Sequence, residues 1–510
     1  MAAATSSSTI HLSGLLPSAS PPRLRRSYPF LSSSSSSRRR LRTFRSSRTA
    51  AIVCFSDPFV LELAEKIEDS VPPLPSSPPL PLLRLRESAS RSLLSQRWPT
   101  QKDEAFRFTD TRFLRHSLIN PVQPSSVPPS TALDYGDDDH QHHRILHIVD
   151  GQLLPSSPPS ISSDLPESVF VGPLSAIQDE ALLNRVLSSF SSDFQEADLF
   201  WSLNGIGVPD VVVIFIPTGC IVEKPLHFVL YSNQGGGIGG KNEGDPSSVA
   251  ISNPRMLVLV EAGGQVGIVE EFVGSGDSGA YWTNSVMEMV IEEGGKVSHT
   301  YIQRQADNST HTKWTRVHQA ATSSYNLIET STGGKLSRHN LHIQQHGSDT
   351  VTELSTFHLA GSNQAQDLHS RLVLDHPRGY GRQLHKCIVA DSSGQAIFDG
   401  NIQVNKYAQQ TDAGQLTRSL LLAPRATVNV KPNLQIVADD VKCSHGAAIS
   451  DLEDDQLFYF QARGVDLQTA RNALIFSFAA EVIERLPSSL LRRKVEDNVK
   501  SLLAAKGAIL

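Results

Sequence analysis

The chain has 510 residues, a formal net charge of −6 at pH 7 and four cysteines. Domains run to roughly 100 to 200 residues each, so this length predicts two or three structural units. No stretch approaches the ~18 consecutive apolar residues of a membrane span. The cysteines are far apart, which excludes a disulfide framework and a Cys-x-x-Cys metal knuckle.

Residues 1–56 have the composition of an organelle transit peptide. They contain nine Arg, many Ser and no Asp or Glu. A secretory signal would carry a continuous apolar segment, whereas Ser runs such as 32–37 favour a plastid over a mitochondrion. Removing the nine Arg of this segment from a net charge of −6 leaves a charge of about −15 on the mature chain. This charge argues against nucleic-acid binding, because a phosphate partner needs a basic face. We therefore expect a plastid stroma protein that binds neither nucleic acid nor membrane.

The segment 57–196 alternates short helical patterns with Pro/Ser-rich runs. Residues 57–69 have the pattern of a helix, and prolines then break the sequence at 72–81, 121–130 and 155–163. Proline lacks a backbone donor and fixes its own φ, so these runs are loops or spacers. The pattern predicts an N-terminal helical domain with Pro/Ser-rich loops.

Residues 197–450 consist of short β runs. The clearest runs are 211–216, 226–231, 256–260, 285–291 and 341–345. Gly-Gly turns recur at 263–264, 294–295 and 333–334, which suggests stacked coils that bend at comparable places. Their irregular spacing favours a β-helix over a propeller, with a β-sandwich as the alternative. The predicted fold class is mainly β: a right-handed parallel β-helix-like core flanked by N-terminal and C-terminal helical domains.

Residues 451–510 return to helical periodicity. Asp466 is predicted to cap a helix that ends before Pro487. Its apolar stripe consists of Leu467, Ala470, Leu474, Phe478 and Val482. A second helix begins near residue 488 or 489, with Leu491, Val495, Val499 and Leu502 on one side. The two stripes either pack on each other or leave part of a stripe free for a partner.

Cys443 and His445 are the residues of the β region with the clearest chemistry. With Val441 they alternate along its last strand, and the two-residue period of a strand places all three on one face. Thiolate sulfur and imidazole nitrogen both bind iron, and a cysteine can also carry persulfide sulfur. The alternative is a small buried cysteine beside a histidine bonded to a carbonyl, which Val441 on the same face favours.

The sequence around this pair resembles the C-terminal signature of the SufD family, scaffold subunits of the SufBCD iron–sulfur cluster assembly complex. The resemblance covers 439–447, which includes Lys-Cys-Ser-His at 442–445, and continues through 454–464. Residues 97–104, Arg-Trp-Pro-Thr-Gln-Lys-Asp-Glu, resemble an N-terminal motif of the same family. Phe-Arg-Phe-Thr at 106–109 departs from the Trp-Lys-Tyr-like run that commonly follows it.

The resemblance implies a non-catalytic scaffold that pairs with a SufB-like paralogue, while a SufC-like ABC ATPase hydrolyses ATP. His445 and Cys443 would handle iron or sulfur at a transient site shared with the partner. A cluster normally takes about four ligands. This chain offers one well-placed cysteine and one histidine, so we expect no stable cofactor on the chain alone and a transient iron–sulfur cluster in the complex.

The resemblance also assigns the helical tail to docking of the ATPase subunit. The docking residues that it implies are Arg463, Gly464, Leu474 and Phe478. The expected organisation is a transit peptide at 1–56, an N-terminal helical domain at 57–196, a β-helix core at 197–450 and a docking domain at 451–510.

Several other motifs give weak evidence for enzyme or metal chemistry. The Gly-rich run 235–242 imitates a phosphate-binding loop but lacks its final Ser or Thr. Residues 276–279 have a turn composition, and the acidic, His-rich run 137–143 is typical of a solvated loop. His342 and His346 share strand parity, which is little evidence for a metal site. The alternatives to a scaffold with a site are a β-helix polysaccharide hydrolase or lyase, for which no ladder of paired acids is seen, and a structural partner without a site.

Overall fold

The computed structural model describes residues 57–71, 80–122, 143–155, 165–190, 194, 197–232, 248–274 and 280–505. Several sequence predictions lie outside these residues: the transit peptide 1–56, most of the three proline-rich runs (72–79, 123–130 and 156–163), the Gly-rich run 235–242, the turn 276–279, and positions 137–142 of the His-rich run.

Eight α-helices and two short 3-10 turns occur in the described residues. The helices are α1 Pro58–Ser70, α2 Leu80–Leu93, α3 Arg112–Arg115, α4 Glu180–Ser189, α5 Leu199–Gly207, α6 Asp454–Gln461, α7 Leu467–Ile483 and α8 Ser489–Ala505; the 3-10 turns are Glu104–Phe106 and Leu174–Ala176. The predicted first helix is confirmed as α1. Asp57 accepts a hydrogen bond from the Phe59 N–H at 3.1 Å, and Pro58 occupies the first helical position, where its missing donor costs nothing.

The strands of the first part of the chain are β1 Leu118–Pro121, β2 Arg144–Val149, β3 Gln152–Leu153, β4 Phe170–Pro173, β5 Val211–Ile216, β6 Leu226–Tyr231 and β7 Ser248–Ser252. Those that follow are β8 Arg255–Val260, β9 Gln265–Val273, β10 Tyr281–Ile291, β11 Lys296–Arg304, β12 Thr310–Gln319, β13 Ser324–Thr332, β14 Leu336–Gln345, β15 Val351–Ala360, β16 Ala365–Leu374, β17 Tyr380–Val389, β18 Gln395–Val404, β19 Thr411–Leu421, β20 Thr427–Ile436 and β21 Val441–Ser450. All five β runs predicted from the sequence fall within these strands.

The strands form a parallel β-solenoid of two facing sheets. From β8 to β21, even-numbered strands stack in sheet A and odd-numbered strands stack in sheet B, so fourteen strands give seven turns. Every pairing among these strands is parallel, which confirms the predicted parallel β-helix-like core and excludes the sandwich. The antiparallel pairs that the structure describes, β2 with β3 and β4 with β5, lie at the first end of the stack.

The six bends that lead from sheet A to sheet B between β8 and β19 each contain one residue with left-handed φ. Gly263 and Gly294 have φ of +68°, and their N–H groups donate to the next turn, to Glu293 O at 2.8 Å and Ala321 O at 3.0 Å. In later turns the left-handed position is taken by Thr322, Asp349, Arg378 and Gln410. The third predicted turn, Gly333-Gly334, lies at the opposite edge, between β13 and β14. The prediction of comparable bends therefore holds for two of the three Gly-Gly turns.

The N-terminal segment packs on the outer face of sheet A. Apolar residues of α1, α2 and α5 form one cluster with Ile251 and Trp282, and Trp98 of the N-terminal motif is buried in it. The run 106–109 that follows this motif reaches later turns, because the Phe106 ring centre lies 4.1 Å from the Arg338 guanidinium. Thr109 Oγ1 also donates to Asp367 at 2.6 Å. The domain boundaries drawn at 196 and 450 stay predictions.

Helices α7 and α8 pack on the outer face of sheet B. Asp466 caps α7 as predicted, accepting the Thr469 N–H at 3.0 Å. The residues that α7 buries are Ala470, Ile475, Ala479, Val482 and Ile483. The predicted stripe is therefore partly wrong: Leu467 is exposed, and Leu474 and Phe478 are half-buried. Because α7 carries apolar residues on most sides, contact with the sheet selects its buried face.

Candidate functional site

Cys443 and His445 lie on β21, the last strand of sheet B, with their side chains on the same face. In the parallel register Cys443 pairs with Ala413 and His445 with Gln415. Val441 and Cys443 pack against the apolar cluster between the two sheets, so this face is the interior of the solenoid. Cys443 is half-buried and His445 is exposed. The predicted alternation along the last strand is confirmed.

The surroundings of Cys443 favour its neutral thiol. Burial raises the pKa of this thiol, and the Asp412 carboxylate adds to the effect. A backbone hydrogen bond from Ala413 and the charge of Arg382 act in the opposite direction without cancelling it. A metal or a cationic partner group would favour loss of the thiol proton, since metal ligation requires the thiolate.

The site is at the open end of the solenoid, which we define as the surface of β20 and β21. Each of these strands pairs on one side, with β18 and β19 respectively, and no described strand pairs with the other side. The large exposed apolar residues here are Ile436 and Ile449, together with Val437 in the bend between the two strands. An uncovered parallel edge with apolar residues is a template for pairing with another chain.

The other described cysteines do not contribute to this site. Cys387 is buried further along the solenoid, donates to Ser419 Oγ at 3.2 Å, and has a pKa that burial raises to about 11. Cys220 follows β5, near the first end of the stack. No group of three or more His, Cys, Asp or Glu with metal-binding geometry occurs in the described ranges. Cys443 and His445 therefore supply two donors at most.

The predicted docking residues are divided between a cleft and a neighbouring turn. Leu474 and Phe478 line a cleft of ≈ 910 Å³ between α6, α7 and the edge of sheet B. The Lys386 ammonium lies 4.0 Å from the Phe478 ring centre and forms a 2.6 Å ion pair with Glu481. This pair ties α7 to the sheet.

Arg463 and Gly464 lie in the turn after α6 rather than in the cleft. Gly464 has φ of +83°, the conformation that favours glycine at a helix C-terminus. The Arg463 guanidinium lies 3.5 Å from the Tyr459 ring centre, and Tyr459 is one of the residues that line the cleft. Phe458 and Tyr459 are 71% and 54% exposed, so α6 presents aromatic surface beside the cleft.

A buried charged network crosses the interior of the solenoid and was missed in the sequence. Lys313 of β12 donates to both carboxylate oxygens of Glu270 on β9, at 2.6 and 2.9 Å. His299 bonds the same carboxylate at 2.9 Å, and its other nitrogen contacts the Tyr325 hydroxyl at 2.9 Å. The Lys313 and Glu270 side chains are fully buried. Ionised side chains in such a position must be paired with one another.

A second buried carboxylate, Glu329, continues the network toward the open end. It contacts His339 at 2.9 Å and His358 at 2.8 Å, and these imidazoles hold its pKa well below the usual range although burial acts to raise it. His339 is therefore satisfied by protein partners. His346, which the sequence grouped with His342, hydrogen-bonds His318 at 2.7 Å instead.

We expect the free energy of unfolding to decrease as pH falls below about 6.5. Burial and the charge of Lys313 lower the pKa of His311 from 6.5 to about 3 in the folded chain. As the pH falls, the unfolded chain therefore protonates His311 before the folded chain does. For Glu270, burial acts to raise the pKa, but Lys313 and His299 outweigh it and hold the value at about 2, below the ordinary 4.5. Both pKa shifts stabilise the folded chain fully at pH values above the pKa of the unfolded state. This stabilisation is lost as the pH falls toward the pKa of the folded state.

Each such group contributes a slope of about 1.4 kcal/mol per pH unit inside its window. Urea unfolding midpoints at pH 8, 6.5 and 5 measure the effect. His311→Phe is expected to flatten the part of the curve between pH 6.5 and 5, and an unchanged slope in that variant would contradict the assignment.

Comparison with known proteins identifies the family. Residues 242–478 match the family model described as SUF system FeS cluster assembly, SufBD core domain. The chain is 55% identical to Protein ABCI7, chloroplastic, of Arabidopsis thaliana over 451 residues, which cover 88% of this chain and 92% of the relative. The chain belongs to the SufBD family.

Bacterial members of the SufBD family are also similar. An iron–sulfur cluster assembly SufBD family protein of Synechocystis is 34% identical over 428 residues, covering 82% of this chain and 90% of the relative. The iron–sulfur cluster assembly protein SufD of Escherichia coli is 29% identical over 308 residues, covering 59% of this chain and 69% of the relative. The SufBD core match includes Cys443, His445 and every residue that lines the cleft except Glu481. None of the described helices has the length and apolar character of a bilayer span.

Proposed function

We propose that this chain is the SufD-like subunit of a SufBCD-type complex that assembles iron–sulfur clusters in plastids. It acts as a non-catalytic scaffold, and ATP hydrolysis belongs to a SufC-type partner. The assembly site forms where the open end meets a SufB-like paralogue. Iron and sulfur are the cargo of this site, and the chain alone holds no stable cluster.

The observation that carries this proposal is the position of Cys443 and His445 at an uncovered end of a parallel solenoid. Two donors fall short of the roughly four that a cluster takes. The same end presents unpaired backbone and the exposed apolar side chains of Ile436, Val437 and Ile449. A second solenoid that covers these strands would bring the missing ligands next to the two donors.

The cleft beside α6 supports docking of the ATPase subunit. Tyr459, Leu474 and Phe478 line this cleft, and the Arg463 guanidinium lies over the Tyr459 ring. Phe458 on the same helix is 71% exposed. Partly exposed aromatic and arginine side chains are the residue types that dominate binding energy at interfaces. Gly464 provides the turn between α6 and α7, the two helices that line the cleft.

Location in the plastid stroma is supported by two observations. Residues 1–56 combine nine Arg with no acidic residue, and the similar Arabidopsis protein is named chloroplastic.

The partner interface is tested by placing a charge on the open end. Ile449 is 49% exposed and shares the inward face of β21 with His445. Ile449→Asp is expected to weaken binding to the SufB-like paralogue about tenfold or more, because a carboxylate would be buried without a partner. Isothermal titration of the purified paralogue into this chain measures the change in Kd.

Ile221→Asp is the matched control for this interface. Ile221 is 55% exposed and follows β5, near the opposite end of the solenoid. This variant should keep the wild-type Kd. Equal Kd values for Ile449→Asp and the unsubstituted chain would count against heterodimer formation through the open end.

A further inference from the structure

A ladder of amide side chains leads through the solenoid interior to His445. Gln415 on β19 donates from Nε2 to Gln383 Oε1 on β17 at 2.9 Å, and Gln383 donates from Nε2 to Ser370 Oγ at 2.6 Å. Gln415 thus donates to the previous turn of sheet B, and Gln383 accepts this bond with its oxygen and donates across the interior to β16 of sheet A. All three side chains are buried, and Gln415 is 2% exposed.

The last oxygen of this ladder has no partner. Gln415 Oε1 is buried and accepts no hydrogen bond from the described protein atoms. An unsatisfied buried acceptor costs about 1–3 kcal/mol, so its presence at a defined position calls for a donor. The residue paired with Gln415 in the next turn is His445, whose side chain is on the same face of sheet B.

The opposite sheet leaves room for the Gln415 amide. A Cβ at Gly400 on β18 would overlap the Gln415 amide nitrogen and lie 2.8 Å from its Cδ. Glycine at this position therefore lets the amide extend across the interior. The ladder and the space at Gly400 together hold the Gln415 amide in the turn next to His445.

We propose that Gln415 is a positioning residue for His445: its free Oε1 accepts the N–H of the imidazole and fixes which ring nitrogen keeps a lone pair. A neutral imidazole has one N–H and one lone pair, and a partner for the N–H selects the tautomer and the ring orientation. The other nitrogen then faces the open end, where it binds iron. This inference rests on the proposed function, because it assigns a support to the metal-binding role of His445.

The test uses the complex reconstituted with the SufB-like paralogue and the SufC-type ATPase, with Co²⁺ as the metal probe. The site is defined as the Co²⁺ binding that His445→Ala removes. Gln415→Met keeps the side-chain length and removes the acceptor. It is expected to weaken Co²⁺ binding about 10- to 100-fold, the usual effect of losing the group that orients a histidine ligand.

A second readout separates positioning from a general structural effect. In complexes that carry ¹⁵N-histidine in this chain only, nitrogen chemical shifts should show one tautomer of His445 in the unsubstituted chain and a mixture in Gln415→Met. The matched control is Gln345→Met, because Gln345 is equally buried, donates to Thr352 Oγ1 at 2.8 Å and has the same unpartnered Oε1 in a more distant turn. This control should change neither readout.

The outcomes distinguish the inference from the proposed function. If His445→Ala removes Co²⁺ binding but Gln415→Met leaves both the affinity and the tautomer unchanged, the positioning role is wrong and the proposed site stands. If His445→Ala leaves Co²⁺ binding intact, the metal role in the proposed function fails. The tautomer measurement then still decides whether Gln415 holds the ring.

Discussion

His445→Ala is expected to abolish iron–sulfur cluster assembly in the reconstituted complex while the complex still forms. The substitution removes the proposed nitrogen donor and leaves the Cys443 thiol as the other candidate donor on this strand. The imidazole is exposed at the open end, so its loss leaves no cavity in the core and the chain should still fold. Assembly is followed by the visible absorption of the cluster and by its transfer to an apo-ferredoxin.

Ser444→Ala is the control for this substitution. Ser444 lies between the two candidate donors on β21, is exposed, and points to the opposite face of the sheet. It should assemble clusters at the unsubstituted rate. Normal assembly by His445→Ala, with complex formation verified by native mass spectrometry, would refute the proposed role of the site.

The position of the donor pair could be predicted from the sequence because it depends on local geometry. The two-residue period of a strand fixes the shared face of Val441, Cys443 and His445 whatever the rest of the fold does. The cap at Asp466 is equally local, since a side-chain oxygen and an N–H three residues later satisfy each other. Both predictions are confirmed for this reason.

The buried face of α7 could not be predicted, because the helix carries apolar residues on most of its circumference. Its residues face α8 on one side and the outer face of sheet B on another, and the sheet contributes residues such as Phe357 and Ile388 that are far from α7 in the sequence. Periodicity alone cannot choose between such faces. Leu474 and Phe478, which the sequence placed in one continuous stripe, are half-buried because the sheet and α8 contact other sides of the helix.

The interior network was missed because its members are distant in sequence and ordinary in composition. Lys313 and Glu270 are 43 residues apart and belong to different sheets. In the sequence each reads as a polar residue of an alternating strand, which is normally solvent-facing. Only the stacking of turns shows that this alternation points inward, where one carboxylate and one ammonium meet in a fully buried position.

Lys313→Met is expected to destabilise the chain by about 3–5 kcal/mol, because it leaves the Glu270 carboxylate buried without its ammonium partner. The methionine fills a similar volume, so the cost arises mainly from the uncompensated charge and little from a cavity. His299 remains as a hydrogen-bond partner, and we expect it to gain a proton in the variant, since a lone carboxylate 2.9 Å away favours the imidazolium. The urea unfolding midpoint followed by circular dichroism measures the loss.

A double substitution separates loss of the charge pair from loss of packing. Adding Glu270→Gln to Lys313→Met removes the orphaned charge and keeps a group that can bond His299, so most of the lost stability should return. Lys296→Met, at the exposed start of β11, is the matched control and should shift stability by no more than about 0.5 kcal/mol. If the double variant were as unstable as Lys313→Met alone, packing of the lysine stem rather than its charge would hold this part of the interior together. The acid sensitivity expected from Glu270 would then need a different origin, because that expectation depends on the same ion pair.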